Sequence, residues 1–558
     1  MATSSTLRLR LRRALVPTIL LLVAGTMLCL PAFADARPAR PLLPGTSRHG
    51  LFFPPLVAGG AVPAPNDTIE VTATEPYLGQ VAGGRGFVLL APGHTVLTNP
   101  VLVVEGFDLD NSMDWDELYT LLNQEGLVES LLARGQDAVV LDFTDATDYI
   151  QRNAFVFTAL LAQVEGAIEP GRNVAVVGPS MGGLVARYGL AWLEANAVPH
   201  RVTTFISFDA PQRGANIPLG LQHWVEFFSG QSTDAAVFRG ILESPAARQM
   251  LVSHFTRTSG GTAAPDPLRP LLLAELAAIG DYPTQPRRVA FANGAGDGTG
   301  QGYPSGTQLI EYGYNNFGVL ITGDVWAVPD GASAMIFDGR IRILFISDTQ
   351  RQVTVSGTRP YDDAPGGWRA SMAQLDTTDA PFGDIQALHD RHAFIPTMSA
   401  LDMDDTDLRR DLTPLADPAG ESPFDALHWQ PSNEEHVFIS AWTAARLRDE
   451  LAPAVVGVSP DLAARLPRAT LHPAWPNPSS GSTRLRFTLV AEEAVTLDVI
   501  DVAGRRVRRL AAGLRAAGAH DVTWDLHDQA GRRVRAGLYF MRLATEREEQ
   551  VRRLVALP

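Results

Sequence analysis

A serine flanked by glycines is the first candidate for chemistry in this sequence. The pentapeptide Gly178-Pro-Ser-Met-Gly182 follows the apolar run Val174-Ala-Val-Val177 and precedes a segment whose apolar residues recur at helical spacing. The segment therefore predicts a buried strand, a tight turn and a helix, with Ser180 at the end of the strand. Glycines are needed in such a strained turn, because a side chain there would collide with the neighbouring elements. This order favours a nucleophile over a surface serine in an ordinary strand-to-helix loop.

Histidines downstream of Ser180 include the candidate base. A serine hydroxyl is a weak nucleophile, so a histidine must accept its proton while a carboxylate holds the imidazole in one tautomer. Of the 12 histidines, His436 has the best context, because it lies in a loop just before the last amphipathic helix of the domain. His392 is the alternative base, and His389 and His428 are weaker alternatives. We therefore predict that His436 accepts the proton of Ser180.

The candidate acid is expected between the serine and the histidine in chain order. Asp297 lies in a glycine-rich loop directly after a predicted strand, from which its carboxylate can reach the base. Asp209 also ends a predicted strand, but the residues after it, Ala210-Pro-Gln-Arg-Gly214, are typical of a structural turn. We therefore predict Asp297 as the acid, with Asp209 and Asp425 as alternatives.

Backbone N–H groups near Ser180 would stabilise negative charge on a substrate oxygen, and two donors are needed. Met181, which directly follows the serine, is predicted to supply one of them. Gly106 or Phe107, in the loop after a predicted strand, is predicted to supply the other. Both donors would then lie at the carboxyl edge of one sheet.

Helices alternate with buried strands around these residues. Because strands joined by helices at this spacing form βαβ units, the pattern predicts a parallel sheet with Ser180 at its carboxyl edge. An antiparallel edge is predicted before it, from segments at 68–73, 86–91 and 95–97, and residues 436–440 with a helix at 441–451 are predicted to close the domain. The predicted strands of the sheet are 100–106, 138–143, 174–177, 203–209 and 289–293, and the predicted helices before the serine are 116–132 and 144–165.

Two stretches interrupt this alternation. Residues 211–286 are mostly helical by pattern and rich in apolar residues, which favours a lid or acyl-binding wall, or equally an additional packed helical layer. Residues 303–391 contain alternating segments separated by Gly, Asp and Pro turns, which predicts an inserted antiparallel β unit. The glycine run 294–302 superficially resembles a dinucleotide-binding loop, but Tyr303-Pro304 follow where a helix should begin.

The two ends of the chain predict export rather than chemistry. Residues 1–34 combine arginines, an apolar run and an A-x-A sequence, which is typical of a signal peptide; a membrane anchor is the alternative. Residues 35–66 are rich in Pro, Ala and Gly and are predicted to be a flexible leader. After a predicted linker at 453–469, residues 470–558 contain short alternating strands that predict an all-β sandwich.

Composition argues against several kinds of site. The net charge of -15 argues against a nucleic-acid partner. Cys29 is the single cysteine and lies in the predicted signal peptide, so the processed chain would have no disulfide, thiolate nucleophile or cysteine-ligated zinc. A solvated acidic turn is favoured over a calcium loop where four aspartates cluster, because the glycine and the distal glutamate of an EF-hand are missing. These aspartates are Asp402, Asp404, Asp405 and Asp407. The sequence therefore predicts neither a metal nor another cofactor.

Residues 100–451 resemble the serine hydrolases of the α/β-hydrolase fold, and within them the bacterial lipase/esterase and acyltransferase-like branch. The matching motifs are Val-Glu-Gly-Phe-Asp at 104–108, Gly-Pro-Ser-Met-Gly-Gly at 178–183, Phe-Asp-Ala-Pro-Gln-Arg-Gly at 208–214 and Gly-Asp-Gly-Thr at 296–299. The resemblance implies an α/β domain over 67–452, with a parallel sheet, a helical lid-like insertion and an antiparallel β insertion. In related lipases the last motif runs directly into a Val-Pro-x-x-Ser-like segment, whereas here the β insertion separates it from Ile395-Pro-Thr-Met-Ser399. The common His-Gly before the oxyanion loop is replaced by Glu105-Gly106.

The last ninety or so residues resemble a second family, the immunoglobulin-like C-terminal domains of bacterial secreted proteins. The matching segments are Trp475-Pro-Asn-Pro-Ser-Ser, residues 499–507 and residues 536–543. They are similar to type IX secretion sorting domains and to the Ig-like domain of flagellar hook-capping proteins. This resemblance implies that the C-terminal domain contacts secretion machinery or a cell surface.

Both resemblances together imply a secreted or cell-surface bacterial serine hydrolase. It would cleave carboxylic esters, including lipid-like substrates, through an acyl-enzyme intermediate and without a cofactor. One alternative is a non-catalytic surface adhesion or scaffold protein that retains the hydrolase fold. Another is a peptidase or acyltransferase, because the same three side chains serve each reaction.

Overall fold

A computed structural model describes most of the chain from residue 62 onward. The predicted signal peptide, most of the predicted leader and nearly all of the predicted linker lie outside the described residues. None of the described helices combines the length and the apolar character needed to cross a membrane. The described residues are 62–108, 113–169, 171–376, 383–415, 417–451, 469–471, 474, 477, 479–489, 493–516, 518–545 and 549–557.

The first and larger part of the described chain contains both strands and helices. Its strands are β1 (Asp67–Thr72), β2 (Gly83–Leu89), β3 (Pro100–Val104), β4 (Asp137–Phe143), β5 (Val174–Pro179), β6 (Val202–Phe208), β7 (Arg287–Ala295), β8 (Gln308–Asn316), β9 (Val319–Trp326), β10 (Ala334–Ile343), β11 (Ser347–Val355), β12 (Gly366–Arg369), β13 (Asp384–Ala387), β14 (His392–Pro396) and β15 (Ala426–Gln430). Its α-helices are α1 (Trp115–Leu122), α2 (Leu127–Ala133), α3 (Ile150–Ala167), α4 (Met181–Ala195), α5 (Leu219–Phe228), α6 (Thr233–Leu242), α7 (Pro245–Met250), α8 (Leu268–Ala278), α9 (Ser371–Asp376), α10 (Thr397–Ala400) and α11 (Ala441–Glu450).

An 8-stranded sheet in the order β1-β2-β4-β3-β5-β6-β7-β15 forms the centre of this part. Strands β4, β3, β5, β6, β7 and β15 each pair in parallel with the next strand in this order. At the other edge, β2 pairs antiparallel with β4, and β1 pairs antiparallel with β2. Helices connect the parallel strands, as the sequence pattern predicts. This mixed sheet, with the turn between β5 and α4 at its carboxyl edge, has the α/β-hydrolase fold and confirms the predicted fold class.

The parallel strands are rich in apolar residues because both faces of the sheet are covered. Within β4, Val139 and Leu141 lie in the core on the side of α3 and α4, whereas Ala138 and Val140 lie in the core on the side of α1, α2 and α11. Burying each such valine or leucine contributes about 1.5–3 kcal/mol to stability. The carboxyl edge is thereby held rigidly enough to position side chains for chemistry.

Two local predictions are wrong, and one strand is not predicted. Residues 95–97 form no strand, and the loop is instead tied to the sheet by Thr98, whose backbone N–H donates to Asp137 Oδ2 at 2.6 Å. The predicted helix 116–132 is two helices, because Glu125 (φ 54°) and Gly126 (φ 61°) adopt left-handed conformations between α1 and α2. No strand is predicted at 426–430, where β15 forms and pairs in parallel with β7 at the edge of the sheet.

The two interrupting stretches form the predicted kinds of structure. Helices α5 to α8 lie within the predicted helical insertion. Strands of the predicted β insertion form a 5-stranded antiparallel sheet in the order β11-β10-β9-β8-β13, and β12 pairs with β14 in a separate ribbon. Phe228 of α5 packs against this sheet where Gly323 leaves room for its ring. The boundaries that we predict for both insertions stay predictions.

The C-terminal part is an antiparallel sandwich, which confirms the predicted all-β class. One sheet has the strand order β16-β17-β20 and the other β19-β18-β21-β22. Phe487 and Trp524 from the first sheet and Met541 from the second meet in one apolar core. The strands are β16 (Ala469–Leu471), β17 (Thr483–Leu489), β18 (Glu493–Asp501), β19 (Arg506–Arg515), β20 (Gly518–Trp524), β21 (Gly537–Ala544) and β22 (Glu549–Ala556).

Candidate active site

Ser180 occupies the sharp turn between β5 and α4, as the sequence predicts. Its backbone has φ 53° and ψ -131°, a conformation that costs a non-glycine residue on the order of 1–3 kcal/mol. The surrounding structure holds this strain: the Ser180 N–H donates to Phe208 O at 2.9 Å, and the Gly183 N–H donates to Ser180 O at 3.1 Å. The turn therefore fixes the hydroxyl at the carboxyl edge of the sheet.

Close backbone approach explains the two glycines that flank this turn. A Cβ atom on Gly182 would lie 2.1 Å from Val104 O, and one on Gly178 would lie 2.5 Å from Gly183 N. Neither neighbour is a flexible side chain that could move away. The glycines are thus required by the packing of α4 against β3 and β5.

His436 lies beside Ser180, as the sequence predicts for the base. The Nε2 atom of His436 is 2.8 Å from Ser180 Oγ, within hydrogen-bond distance. The loop that carries the imidazole follows β15 and is anchored to β12 by a hydrogen bond from the His436 N–H to Trp368 O at 3.0 Å. The ring of Phe394 packs edge-on against the imidazole, with 4.9 Å between ring centroids.

Asp209, which the sequence offers only as an alternative acid, contacts the other side of the imidazole. Its Oδ2 atom is 2.6 Å from His436 Nδ1, and both side chains are buried. Its Oδ1 atom accepts a hydrogen bond from the Asn293 N–H at 2.9 Å. The backbone of Asp209 has φ 46°, so the turn after β6 directs the carboxylate toward the histidine.

The prediction that Asp297 orients His436 is corrected by this geometry. Asp297 is exposed, and its carboxylate accepts a hydrogen bond from the Thr299 N–H at 2.9 Å, which lowers the pKa of Asp297. The glycines around it serve packing: a Cβ on Gly298 would lie 2.3 Å from Arg409 O, and one on Gly300 would lie 2.2 Å from Asp363 O. The loop is glycine-rich because two other backbone segments cross it.

The other alternative residues lie elsewhere. His392 is fully buried with its Nε2 3.1 Å from Ser371 Oγ and its Nδ1 3.0 Å from Ala393 O, and burial lowers its pKa to about 4. Asp425 forms an ion pair with Arg288 at 3.0 Å. The clustered aspartates also contact arginines: Asp402 pairs with Arg187 and Arg213, Asp404 pairs with Arg213, and Asp405 pairs with Arg410.

The predicted oxyanion donors lie on two segments that flank Ser180. Met181 is the first residue of α4, and the first amides of a helix have no acceptor within the helix. The backbone of Gly106 lies against the serine, because a Cβ built there would be 3.3 Å from Ser180 Cβ and 3.8 Å from Ser180 Oγ. Phe107, the next residue, lines the same pocket as Ser180.

A buried carboxyl group, that of Glu105, lies beside this loop. Glu105 Oε2 accepts a hydrogen bond from the Phe143 N–H at 2.5 Å. Burial, reinforced by the nearby Asp142 and Asp108 carboxylates, raises the pKa of Glu105 well above its usual range. The hydrogen bond to Phe143 therefore ties the loop of Glu105 to β4.

Three positioning residues were not predicted from the sequence. Asn293 connects acid and base, because its backbone N–H bonds Asp209 while its Nδ2 donates to Glu435 O at 2.7 Å and to Phe438 O at 2.9 Å. Arg369 of β12 is fully buried, and its Nη1 lies 3.4 Å from Glu435 Oε1. Asn293 ends the predicted strand that follows the predicted strand of Asp209. Its position at a strand end could have identified it as a residue of the site. Arg369 and Glu435 carry no such signal, because they lie 66 positions apart in the sequence.

The burial of His436 determines its protonation. Burial lowers its pKa to about 4; the hydrogen bond and charge of Asp209 oppose this shift, and the charge of Arg369 adds to it. The imidazole is therefore neutral over the neutral pH range and able to accept a proton from Ser180.

An apolar pocket opens onto Ser180. It encloses about 480 Å³ of space, open solvent at its mouth included. Its walls include Phe107 and Phe394 near the serine, and Leu242 of α6 and Met250 of α7 from the helical insertion. All of its lining side chains except Ser180 are apolar. The helical insertion thus forms part of the wall, one of the two roles that the sequence leaves open.

Comparisons with known proteins agree with the two-part organisation. The family model of the FlgD Ig-like domain matches residues 477–549, and no curated protein matches the chain. Among solved structures, the chain is similar to dimeric latent PorU from Porphyromonas gingivalis, with 18% identity over 16% of this chain and 9% of that chain and a TM-score of 0.15. The protein thus spans a small fraction of PorU.

Two further solved structures cover a larger share of the chain. Est1E from Butyrivibrio proteoclasticus is 10% identical, with 40% of this chain and 77% of that chain covered and a TM-score of 0.24. A structure from a study of two fungal esterases of Rhizomucor miehei is 14% identical, with 41% and 66% covered and a TM-score of 0.25.

Proposed function

A domain of α/β-hydrolase fold is followed in this chain by a FlgD Ig-like domain, and we propose that the protein is a secreted serine hydrolase of carboxylic esters. One observation carries the proposal. Asp209, His436 and Ser180 are buried and linked by hydrogen bonds in that order, and Ser180 lines an apolar pocket. Nucleophile, base and orienting carboxylate are within the distances that acyl transfer requires.

The proposed reaction begins with acylation of Ser180. As Oγ attacks the ester carbonyl carbon, its proton passes to His436 Nε2, and Asp209 stabilises the resulting imidazolium through Nδ1. The N–H of Met181 and an N–H of the Gly106–Phe107 loop stabilise the oxyanion. Collapse of the tetrahedral intermediate breaks the ester C–O bond, and the imidazolium donates its proton to the leaving alcohol.

Hydrolysis of the acyl-enzyme reverses these roles with water. His436 accepts a proton from a water molecule, whose oxygen attacks the acyl carbon. The second intermediate collapses, the bond between the acyl carbon and Ser180 Oγ breaks, and the proton returns to the serine. A carboxylic acid leaves, and no cofactor takes part in any step.

The pocket supports esters with an apolar acyl group. An acyl chain bound there would contact Leu242, Met250 and Phe394 without burying a charged protein group. Each methylene buried in the pocket is worth about 0.8 kcal/mol, or roughly a factor of four in kcat/KM. Acyl chains of several carbons should therefore react faster than acetate.

Export and surface attachment belong to the same proposal. The arginines and the A-x-A sequence within residues 1–34 support processing by a signal peptidase. The family match at residues 477–549 supports a C-terminal domain that contacts secretion machinery or the cell surface rather than the ester.

A chain-length series of nitrophenyl esters tests the proposed activity. We expect kcat/KM to rise from acetate to butyrate and hexanoate, and the Ser180→Ala variant to lose at least about 10⁴-fold in kcat on each of them. Equal rates for wild type and Ser180→Ala would rule out this chemistry and favour a scaffold role. Cleavage of an anilide at the same rate as the matching ester would instead favour a peptidase.

The pH dependence of the same reaction tests the state of His436. Only the neutral imidazole accepts the serine proton, so kcat/KM should rise with pH through the pKa of His436 and then level off. Burial lowers this pKa to about 4, so the midpoint should lie below 6.5, the usual value for histidine. Far-UV circular dichroism at each pH shows whether the chain stays folded. A midpoint at or above 6.5 in folded protein would contradict the assignment.

A further inference from the structure

Two neighbouring hairpins of the insertion sheet end in exposed apolar residues. Phe317 and Gly318 connect β8 to β9, and residues 344–346 (Leu-Phe-Ile) connect β10 to β11. The two turns are adjacent, because Leu344 N donates to Gly318 O at 2.8 Å. We call Phe317, Leu344, Phe345 and Ile346 the apolar tips.

Exposure of these side chains is unusually high for their size. Phe317 is 94% exposed and Phe345 is 98% exposed, while Leu344 and Ile346 are each 53% exposed. A single exposed apolar side chain needs no explanation, but a contiguous group of large ones marks an interaction site. The apolar tips therefore indicate contact with another apolar phase.

The backbone at the tips gives a second and independent indication. Phe317 has φ 48° and Phe345 has φ 65°, in the left-handed region that glycine and asparagine favour and bulky residues avoid. A two-residue hairpin turn with positive φ at both positions, as at Phe317 and Gly318 (φ 78°), prefers Asn-Gly. Neither folding nor solubility favours phenylalanine here, so its presence points to binding.

Charges around the tips are largely compensated. Arg340 forms an ion pair with Asp348 on the next strand at 2.6 Å, and Arg342 lies near the same carboxylate. Next to the tips, β11 is polar and exposed along most of its length. The apolar group is therefore a small island at the end of a polar and nearly neutral ribbon, which suits a zwitterionic surface.

We propose that the apolar tips insert into the surface of a phospholipid bilayer. The tips are convex and belong to two turns, so their apolar area falls well short of the roughly 800 Å² per partner of a standard protein interface. A bilayer needs no shape complementarity, and apolar side chains at its surface gain the free energy of leaving water. This insertion does not depend on the proposed ester chemistry, because the tips belong to a different sheet from Ser180.

Sedimentation with phosphatidylcholine vesicles tests the insertion in a Ser180→Ala background, which separates it from hydrolysis. We expect Phe317→Asn and Phe345→Asn each to weaken vesicle binding about tenfold, and together about a hundredfold. Addition of salt should change wild-type binding little, since the contact is apolar. Thermal unfolding should occur at the same or a higher temperature in both variants, because asparagine suits positive φ better than phenylalanine. A structural role for the rings would lower that temperature instead.

Leu78 offers a matched control on another part of the surface. It is also exposed (67%) and has φ 50°, so Leu78→Asn also replaces an exposed apolar side chain by an amide at a positive φ. Vesicle binding by Leu78→Asn should equal that of the parent protein. Equal loss in all three variants, or none in the phenylalanine variants, would overturn the proposal.

A tip-specific probe separates this contact from any other attachment to lipid. Phe345→Trp places an indole at the tip, and brominated phosphatidylcholine should quench the added fluorescence. Quenching supports insertion of this residue, whereas unchanged emission with bound vesicles overturns it. Sedimentation velocity without lipid completes the test: conversion of an oligomer to monomer by Phe317→Asn and Phe345→Asn would assign the tips to self-association instead.

Discussion

Asp209→Asn is expected to lower kcat for ester hydrolysis about 10⁴-fold, whereas Asp297→Asn should leave kcat within about twofold of wild type. The carboxylate of Asp209 accepts from His436 Nδ1 at 2.6 Å and so keeps Nε2 free to accept the proton of Ser180. An amide at this position can donate to Nδ1, which would place the imidazole proton on Nε2 and block the transfer. Asp297 contacts Thr299 instead.

Asp209→Asn tests the charge of this side chain, because asparagine has nearly the same shape as aspartate and can keep the hydrogen bond from Asn293. The amide oxygen can still accept from the Asn293 N–H, which bonds Oδ1 at 2.9 Å in the wild type. Near-UV circular dichroism and thermal unfolding monitor whether the fold is kept. Full activity in Asp209→Asn, or a large loss of activity in Asp297→Asn alone, would contradict the assignment of Asp209 and favour Asp297 as the acid.

His436→Ala is expected to lower kcat on the order of 10⁶-fold, as much as loss of the serine itself. The reason is that Ser180 and His436 act as one unit: without the imidazole 2.8 Å away, the hydroxyl keeps its proton and attacks very slowly. Steady-state hydrolysis of nitrophenyl butyrate measures this loss.

His392→Ala is the matched control for the base. His392 is also fully buried, but its ring nitrogens contact Ser371 and Ala393 rather than the serine. Its removal should lower stability by about 1–3 kcal/mol and leave kcat per folded molecule nearly unchanged. A loss of kcat in His392→Ala as large as in His436→Ala would show that the base is misassigned.

Local sequence patterns were sufficient to place Ser180 in the turn between β5 and α4, because most of the requirements of that turn are local. The apolar run of β5, the residues Gly178 and Gly182, and the start of α4 all lie within a few residues of Ser180. His436, which lies beside Ser180, was predicted from chain order and from its position before α11. In each case the sequence carries the constraint directly.

The contact of Asp209 with His436 could not be predicted from chain order alone. Asp209 directly follows Phe208, which pairs in parallel register with Pro179, so Asp209 and Ser180 are the first residues beyond two adjacent strands. The turn Ala210-Pro-Gln-Arg-Gly214 was interpreted as structural, yet it is this turn, with φ 46° at Asp209, that directs the carboxylate. Register between β5 and β6 would have favoured Asp209 over Asp297.

Long-range contacts of the β insertion could not be predicted either. The alternation of apolar and polar residues indicated strands. It does not show that β12 would reach the site, where Trp368 O accepts a hydrogen bond from the His436 N–H. A Cβ on Gly367 would lie 2.1 Å from Asp209 Oδ2, so this ribbon covers the acid. Such contacts arise from tertiary packing between segments far apart in sequence.

Fluorophosphonate labelling of the intact protein tests the central claim most directly. The reagent reacts with a serine only where a neighbouring base activates the hydroxyl, so it reports the pairing of Ser180 with His436 without any assumption about the substrate. We predict stoichiometric labelling of the wild type at Ser180, identified by peptide mass, and no labelling of Ser180→Ala or His436→Ala. Labelling that persists in Ser180→Ala, or a folded wild type that does not react, would contradict the account.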